Sequence, residues 1–189
     1  RKEAGRVRDL DVILKLLGEL NLDGTGRKLA KKIKRTRAAE SLHLVKLARE
    51  AKARKTRAWA KRNLKTQDDG LAHLIADTRR AFTDEEFATL GEHNLHDFRL
   101  AIKPLRYRAE LLEGAEAEAF ASHLNAAQTA IGDWHDWMML RDFIRSVAGN
   151  RRSVLAPVES ELEAGYRRAL QQAVRLRDQL SRGSFAAAA

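Results

Sequence analysis

Between Gly26 and Gly70 the chain contains neither glycine nor proline. So long a stretch without a breaker is not built from short strands and tight turns, which need such residues at fixed places. It reads as one long helix, or two with a slight bend, from Arg27 to about Lys65. The rest of the chain agrees. Pro104 and Pro157 are the only prolines, and Ala, Leu, Arg, Lys and Glu, all good helix formers, outnumber β-branched and aromatic residues. An all-α fold is the expectation.

Periodicity places the other elements. Val7, Leu10, Leu14 and Leu17 recur at three- and four-residue steps before a break at Asn21, Asp23 and Gly24. A short helix is predicted over Leu71–Ala81, and Thr83 with Glu86 forms a capping box that opens the next. Further helices are predicted over about His93–Glu113, Ala115–Ile131, Asp133–Val147 and Ser153–Arg182, with Gly132 as a break. Residues 183–189 read as a tail. Leu42, Val45 and Leu47 are the expected core side of the long basic helix, with Leu44 suggesting burial on more than one face.

Charge is distributed unevenly. Residues 27–65 hold sixteen Lys or Arg against Glu40 and Glu50, whereas the remainder holds twenty basic and twenty-four acidic residues. One block therefore supplies all of the excess in a chain of net charge +10, and a concentrated positive field suits an anionic partner. With no cysteines, disulfides, thiolate metal sites and cysteine nucleophiles are excluded, and a reducing, cytoplasmic setting is the expectation. Charges interrupt every apolar run well short of the roughly 20 residues that span a bilayer. No Ser/His/Asp order or glycine-rich phosphate loop is found, so no catalysis and no cofactor are expected.

The helix near residue 100 carries the most informative pattern. At 100° per residue, Phe98, Ile102, Leu105, Ala109 and Leu112 fall within about 80° of one another and form a core stripe. His96, Arg99, Lys103 and Arg106 form a second stripe of similar width, centred roughly 115° away and spanning some 15 Å. A merely solvated face would mix Glu with Lys, but this one is unmixed until Glu110, which could hold a neighbouring guanidinium. Tyr107 also flanks it. Pro104 removes one backbone donor and predicts a kink. A second ladder, Lys28, Lys31, Arg35, Lys46, Arg49 and Arg57, falls within about 80° if the long helix is continuous.

Two sharper roles are open to His96: a phosphoacceptor, or a metal ligand with His93, aided by His135 and Asp136. A helper donor to phosphate or a hydrogen-bonded structural histidine are the plainer roles. Trp134, Trp137, Met138 and Met139 read as core. Asp9, Asp11, Asp133 and Asp136 read as helix-start carboxylates and partners for basic side chains rather than as a magnesium site. The ladder contains no interleaved aromatic, which argues against a base-stacking platform for single-stranded nucleic acid. Arginine, with its planar fork, suits phosphate.

Gly5-Arg6-Val7-Arg8-Asp9-Leu10-Asp11-Val12 parallels Gly132-Asp133-Trp134-His135-Asp136-Trp137-Met138-Met139, with Gly on Gly, Asp9 on Asp136 and Arg8 on His135. If this repeat is real, the His/Arg/Lys ladder needs a counterpart before Arg1, and an N-terminal segment carrying it is the expectation.

These motifs resemble a known family. His96-x-x-Arg99-x-x-x-Lys103-x-x-Arg106-Tyr107-x-x-Glu110 is similar to the signature helix of the CHAD family, the conserved histidine α-helical domains. Gln128-x-x-x-Gly132-x-x-x-Asp136 resembles the family's following segment, and Gly5-x-x-Arg8-Asp9-x-Asp11-Val12 the matching piece of its first half. The resemblance implies two pseudo-symmetric antiparallel helical bundles whose basic helices line a shared groove or pore. Here residues 1–82 would be the C-terminal part of the first half and 83–182 the second half. It also implies non-enzymatic binding of inorganic polyphosphate, with polyphosphate granules as a further partner and nucleic acid as a weaker, competing polyanion. Carried onto this chain, the contacts are His96, Arg99, Lys103 and Arg106; Lys46, Arg49 and Arg57 of the second ladder, together with Arg8, are the further candidates from the other half. A non-specific nucleic-acid-binding protein and a basic protein-interaction scaffold are the alternatives.

Overall fold

The fold was described from a computed structural model covering residues 2–20, 22, 24–52, 70–182 and 185. Among the described residues there are seven helices: α1 (Lys2–Glu19), α2 (Gly24–Lys52), α3 (Leu71–Ala81), α4 (Asp84–Ala88), α5 (Leu95–Ala109), α6 (Ala115–Ala148) and α7 (Arg152–Arg182). The all-α expectation holds. None of them is long and apolar enough to cross a membrane. The chain divides into two compact units, residues 1–66 with 136–160 and residues 67–135 with 161–189.

In the first unit α1 and α2 form a helical hairpin. Leu10, Ile13, Leu16 and Leu17 of α1 and Leu29 and Ile33 of α2 are buried, at the three- and four-residue steps that gather apolar side chains on one face. Arg37 of α2 grips Asp11 of α1 with its fork, donating from Nε to Oδ1 and from Nη2 to Oδ2, the latter at 3.2 Å. Asp11 therefore acts as a partner for a basic side chain. It lies in the middle of α1, as Asp133 and Asp136 lie in the middle of α6, so the helix-start role expected of these carboxylates is corrected. Leu42 and Val45 are also corrected as core residues: they are 74% and 49% exposed, on the side of α2 away from Leu29 and Ile33.

The hydrogen bond from Arg37 holds the Asp11 carboxyl below its ordinary 3.8; partial burial opposes this and charge attraction adds to it. A carboxylate with a lowered folded value stabilises above the unfolded value and loses that contribution as pH falls through the folded one. Asp11→Asn is expected to lower the melting temperature slightly at about pH 7, the pair being roughly half exposed. The difference should shrink as the pH is brought from 7 down to about 2, since protonation of the carboxyl removes the pair's contribution. Thermal melts of the two proteins at each pH check this, and a gap of equal size at both would contradict it.

The same unit contains the corner between α6 and α7. Gly149 takes a φ of 65°, the left-handed conformation that glycine reaches without a Cβ penalty, and its N–H bonds the Arg145 carbonyl at 3.1 Å. Arg145 then reaches Glu159 on α7 at 3.0 Å.

In the second unit the capping box at Thr83 is present in both directions: the Glu86 N–H donates to Thr83 Oγ1, and the Thr83 N–H donates to Glu86 Oε2. Phe82, Phe87 and Phe98 pack edge to face, with Phe82 and Phe98 centroids 4.8 Å apart. Asp77 of α3 accepts from Arg108 of α5, and Arg79 donates to the Leu180 carbonyl near the end of α7 at 2.7 Å, where carbonyls lack helical partners.

α5 is shorter than predicted at both ends. Asn94 Oδ1 accepts the Gly91 N–H at 2.8 Å, folding that segment into a turn. After Ala109 the chain makes further turns, with Gly114 at a φ of 110° before α6 begins. Leu112, placed in the core stripe by periodicity, lies in this turn and is half-buried. Pro104 stands on an exposed position within α5 and does not end it.

The largest departure is α6. The predicted break at Gly132 does not occur, and one helix runs from Ala115 to Ala148. A single glycine costs a helix about 1 kcal/mol relative to alanine. The buried stripe Ala117, Phe120, Leu124, Ala127, Ile131, Trp134, Trp137, Leu140 and Ile144 far outweighs that. Trp134 is wrapped on its other side by α7: a Cβ at Gly165 would lie 3.4 Å from the Trp134 backbone.

Candidate anion-binding face

α5 presents Leu95, Phe98, Ile102, Leu105 and Ala109 to the core. That fixes the helix's rotation, and His96, Arg99, Lys103 and Arg106 come to lie on its flank, each half-buried. They face α6. The His96 ring stacks on His135 at a centroid distance of 4.4 Å. Arg99 Nε donates to the Gln128 carbonyl at 3.3 Å, its guanidinium lying over Gly132. Arg106 Nη1 donates to Asn125 Oδ1 at 2.8 Å.

The pairing is antiparallel and in register. Positions 96, 99, 103 and 106 step by three, four and three; positions 125, 128, 132 and 135 do the same and run the other way. Two helices packed side by side with matched spacing meet rung by rung.

The chemistry of the facing groups matters more than their number. Arg99 bonds a backbone carbonyl and Arg106 a neutral amide. Glu110 lies at the end of the ladder, with Oε1 3.3 Å from Arg106 Nε, near enough to attract but out of line for a hydrogen bond. Among the described residues no carboxylate pairs with Arg99 or Lys103, so their charge is oriented without being neutralised. Partial burial strengthens their pull on an incoming anion, because less water screens it.

Tyr107, 47% exposed, carries the Arg106 guanidinium over its ring at 4.5 Å and Lys103 Nζ at 6.0 Å. A cation already occupies that ring face. His96 Nδ1 and Gln128 Oε1 are buried without a hydrogen-bond partner, so the face holds polar capacity that the protein itself leaves unused.

The other predicted contacts are placed differently. Lys46 and Arg8 are exposed and belong to the first unit. With Lys28, Lys31 and Arg35, Lys46 stands on the side of α2 opposite Leu29 and Ile33. Arg49 lies on α2, but its side chain and the whole of Arg57 lie outside the described residues. His93 is exposed while His96 is stacked on His135. No group of three His, Asp or Glu side chains suited to a metal ion occurs among the described residues.

Residue-by-residue reading missed Asn125 and the stacking role of His135. The signal was present: Asn125, Gln128, Gly132 and His135, none of them apolar core residues, repeat the spacing of the basic stripe on this flank of α6.

The CHAD domain family matches residues 1–145. No curated protein and no solved structure matches the chain. The matched span takes in α5, the half of α6 that faces it, and the α1–α2 hairpin, and therefore every element that carries the motifs quoted above. The chain belongs to the CHAD domain family.

Proposed function

We propose that the α5–α6 face binds inorganic polyphosphate and performs no chemistry on it. The observation that carries this reading is the oriented ladder: four half-buried nitrogen-bearing side chains at helical spacing, with Arg99 held on a backbone carbonyl and Arg106 on an amide, and with no carboxylate paired to Arg99 or Lys103 among the described residues. A linear polyanion with charge on every phosphate and no base or ring to stack matches such a row. Arg99 and Arg106 offer forks for bidentate contacts, and Lys103 acts as a point charge. His96 adds a further ring N–H donor.

A second reading, non-specific binding of nucleic acid, has one observation in its favour. The exposed cations of α2 stand clear of that helix's packed face and would attract any polyanion by counterion release. Against it, the aromatic ring nearest the ladder is covered by Arg106 rather than open for a base.

Titration with long-chain inorganic polyphosphate at physiological salt tests the proposal. Saturable binding that is weakened by changes on α5, and far less by Lys28→Gln and Lys31→Gln on α2, is the expected result. Equal weakening by both sets would remove the ladder's special role.

A further inference from the structure

Gly132 sits in the middle of a 34-residue helix as its only glycine. Apart from proline, glycine is the residue least suited to such a place. Helices tolerate it where another backbone or a ligand comes close. Here, among the described residues, the nearest atoms belong to a side chain rather than to another helix backbone. A Cβ built at Gly132 would meet Arg99 Nε at 3.2 Å, Arg99 Nη2 at 3.4 Å and Arg99 Cζ at 3.7 Å, and these three are its nearest contacts. The approach of α7, by contrast, is accommodated by a different glycine, Gly165 against Trp134.

We infer that Gly132 is a positioning residue: its bare backbone is the seat on which the Arg99 guanidinium lies flat, aimed along the ladder with its Nε–H on the Gln128 carbonyl. The inference rests on the polyphosphate reading for its functional consequence but not for its geometry.

The margins make the seat exacting. A contact of 3.2 Å is too tight for a methyl group, so one partner must yield by a few tenths of an ångström. α6 is pinned by its buried stripe, whereas Arg99 ends in a flexible side chain; Arg99 moves. Its bond to Gln128 is already 3.3 Å, and a further few tenths takes it beyond hydrogen-bonding range. The guanidinium is then lifted off α6 and loses its fixed direction, which costs affinity for a phosphate that must meet several such groups at once.

The test is Gly132→Ala, with Arg99→Gln and the double variant, read in three ways. The first readout is the Arg99 Nε–H resonance by NMR without ligand, which is expected to move and to exchange faster with water in Gly132→Ala. The second is polyphosphate affinity, expected to fall about tenfold. The third is the melting temperature, which should hold or rise because alanine is the better helix former. In the Arg99→Gln background, where the group that the methyl would strike is gone, Gly132→Ala should change affinity less than about twofold.

An unmoved Arg99 resonance in Gly132→Ala would overturn the inference. So would a melting temperature that falls in step with affinity, since the glycine would then serve packing alone. If the resonance moves as expected but neither wild type nor variant binds polyphosphate, the seat stands and the polyphosphate reading fails.

Discussion

Replacing Arg99 and Lys103 together by glutamate is expected to abolish the proposed polyphosphate binding while the protein keeps its helical content. The expected loss is at least about a hundredfold, because two attractive contacts are removed and two repulsive charges set in their place. Both positions lie on the flank of α5, and neither belongs to the Phe98, Ile102, Leu105 and Ala109 stripe that holds the helix to the core. Helicity should therefore persist. A carboxylate at position 99 would face the Gln128 carbonyl, so the milder Arg99→Gln with Lys103→Gln serves as a companion and should lose somewhat less. Circular dichroism and a binding titration on each protein check the expectation. Unchanged affinity in the double glutamate variant would mean that the stripe is only a solvated face.

The second large effect falls on stability. Trp134 is 1% exposed, set between the core and the α7 positions Gly165 and Tyr166. Trp134→Ala removes the largest fully buried side chain among the described residues and leaves a cavity. The expected cost is about 3–5 kcal/mol, a large part of the roughly 5–15 kcal/mol by which such proteins are stable. Trp134→Phe should cost far less than Trp134→Ala, because the indole N–H is buried with no hydrogen-bond partner, and phenylalanine removes that unpaired donor along with some volume. Urea denaturation of the three proteins measures both. A Trp134→Ala loss within about 1 kcal/mol of wild type would show that this part of the core is not closed as described.

Much of the fold was legible in the sequence because its signals were local. The capping box at Thr83 needs only four consecutive residues, and the α5 core stripe only a count of three and four. The failures came where a distant partner decides. Gly132 looked like a break because glycine weakens a helix, but a buried stripe on both sides of it holds α6 together. Leu42 and Val45 looked like core because they are apolar; the packed face of α2 is set by Leu29 and Ile33, and those two point elsewhere.

The candidate site divides in the same way. The basic stripe of α5 was readable, since helix periodicity alone brings His96, Arg99, Lys103 and Arg106 into line. What those side chains lean on was not readable from α5. Asn125, the Gln128 carbonyl and His135 enter only when α6 packs alongside in the opposite direction, and that register is a tertiary fact. The shared three-four-three spacing of the two stripes was nonetheless in the sequence. It says little until the helices are known to be neighbours.

The most direct measurement is a competition titration of long-chain polyphosphate against DNA and RNA at several salt concentrations. Every polyanion should weaken as salt rises, because each neutralised phosphate releases a condensed counterion. An oriented ladder predicts that polyphosphate displaces both nucleic acids at physiological salt and keeps its lead as the salt increases. If all three bind alike and fade together, the protein offers only a basic surface, and the central claim is contradicted.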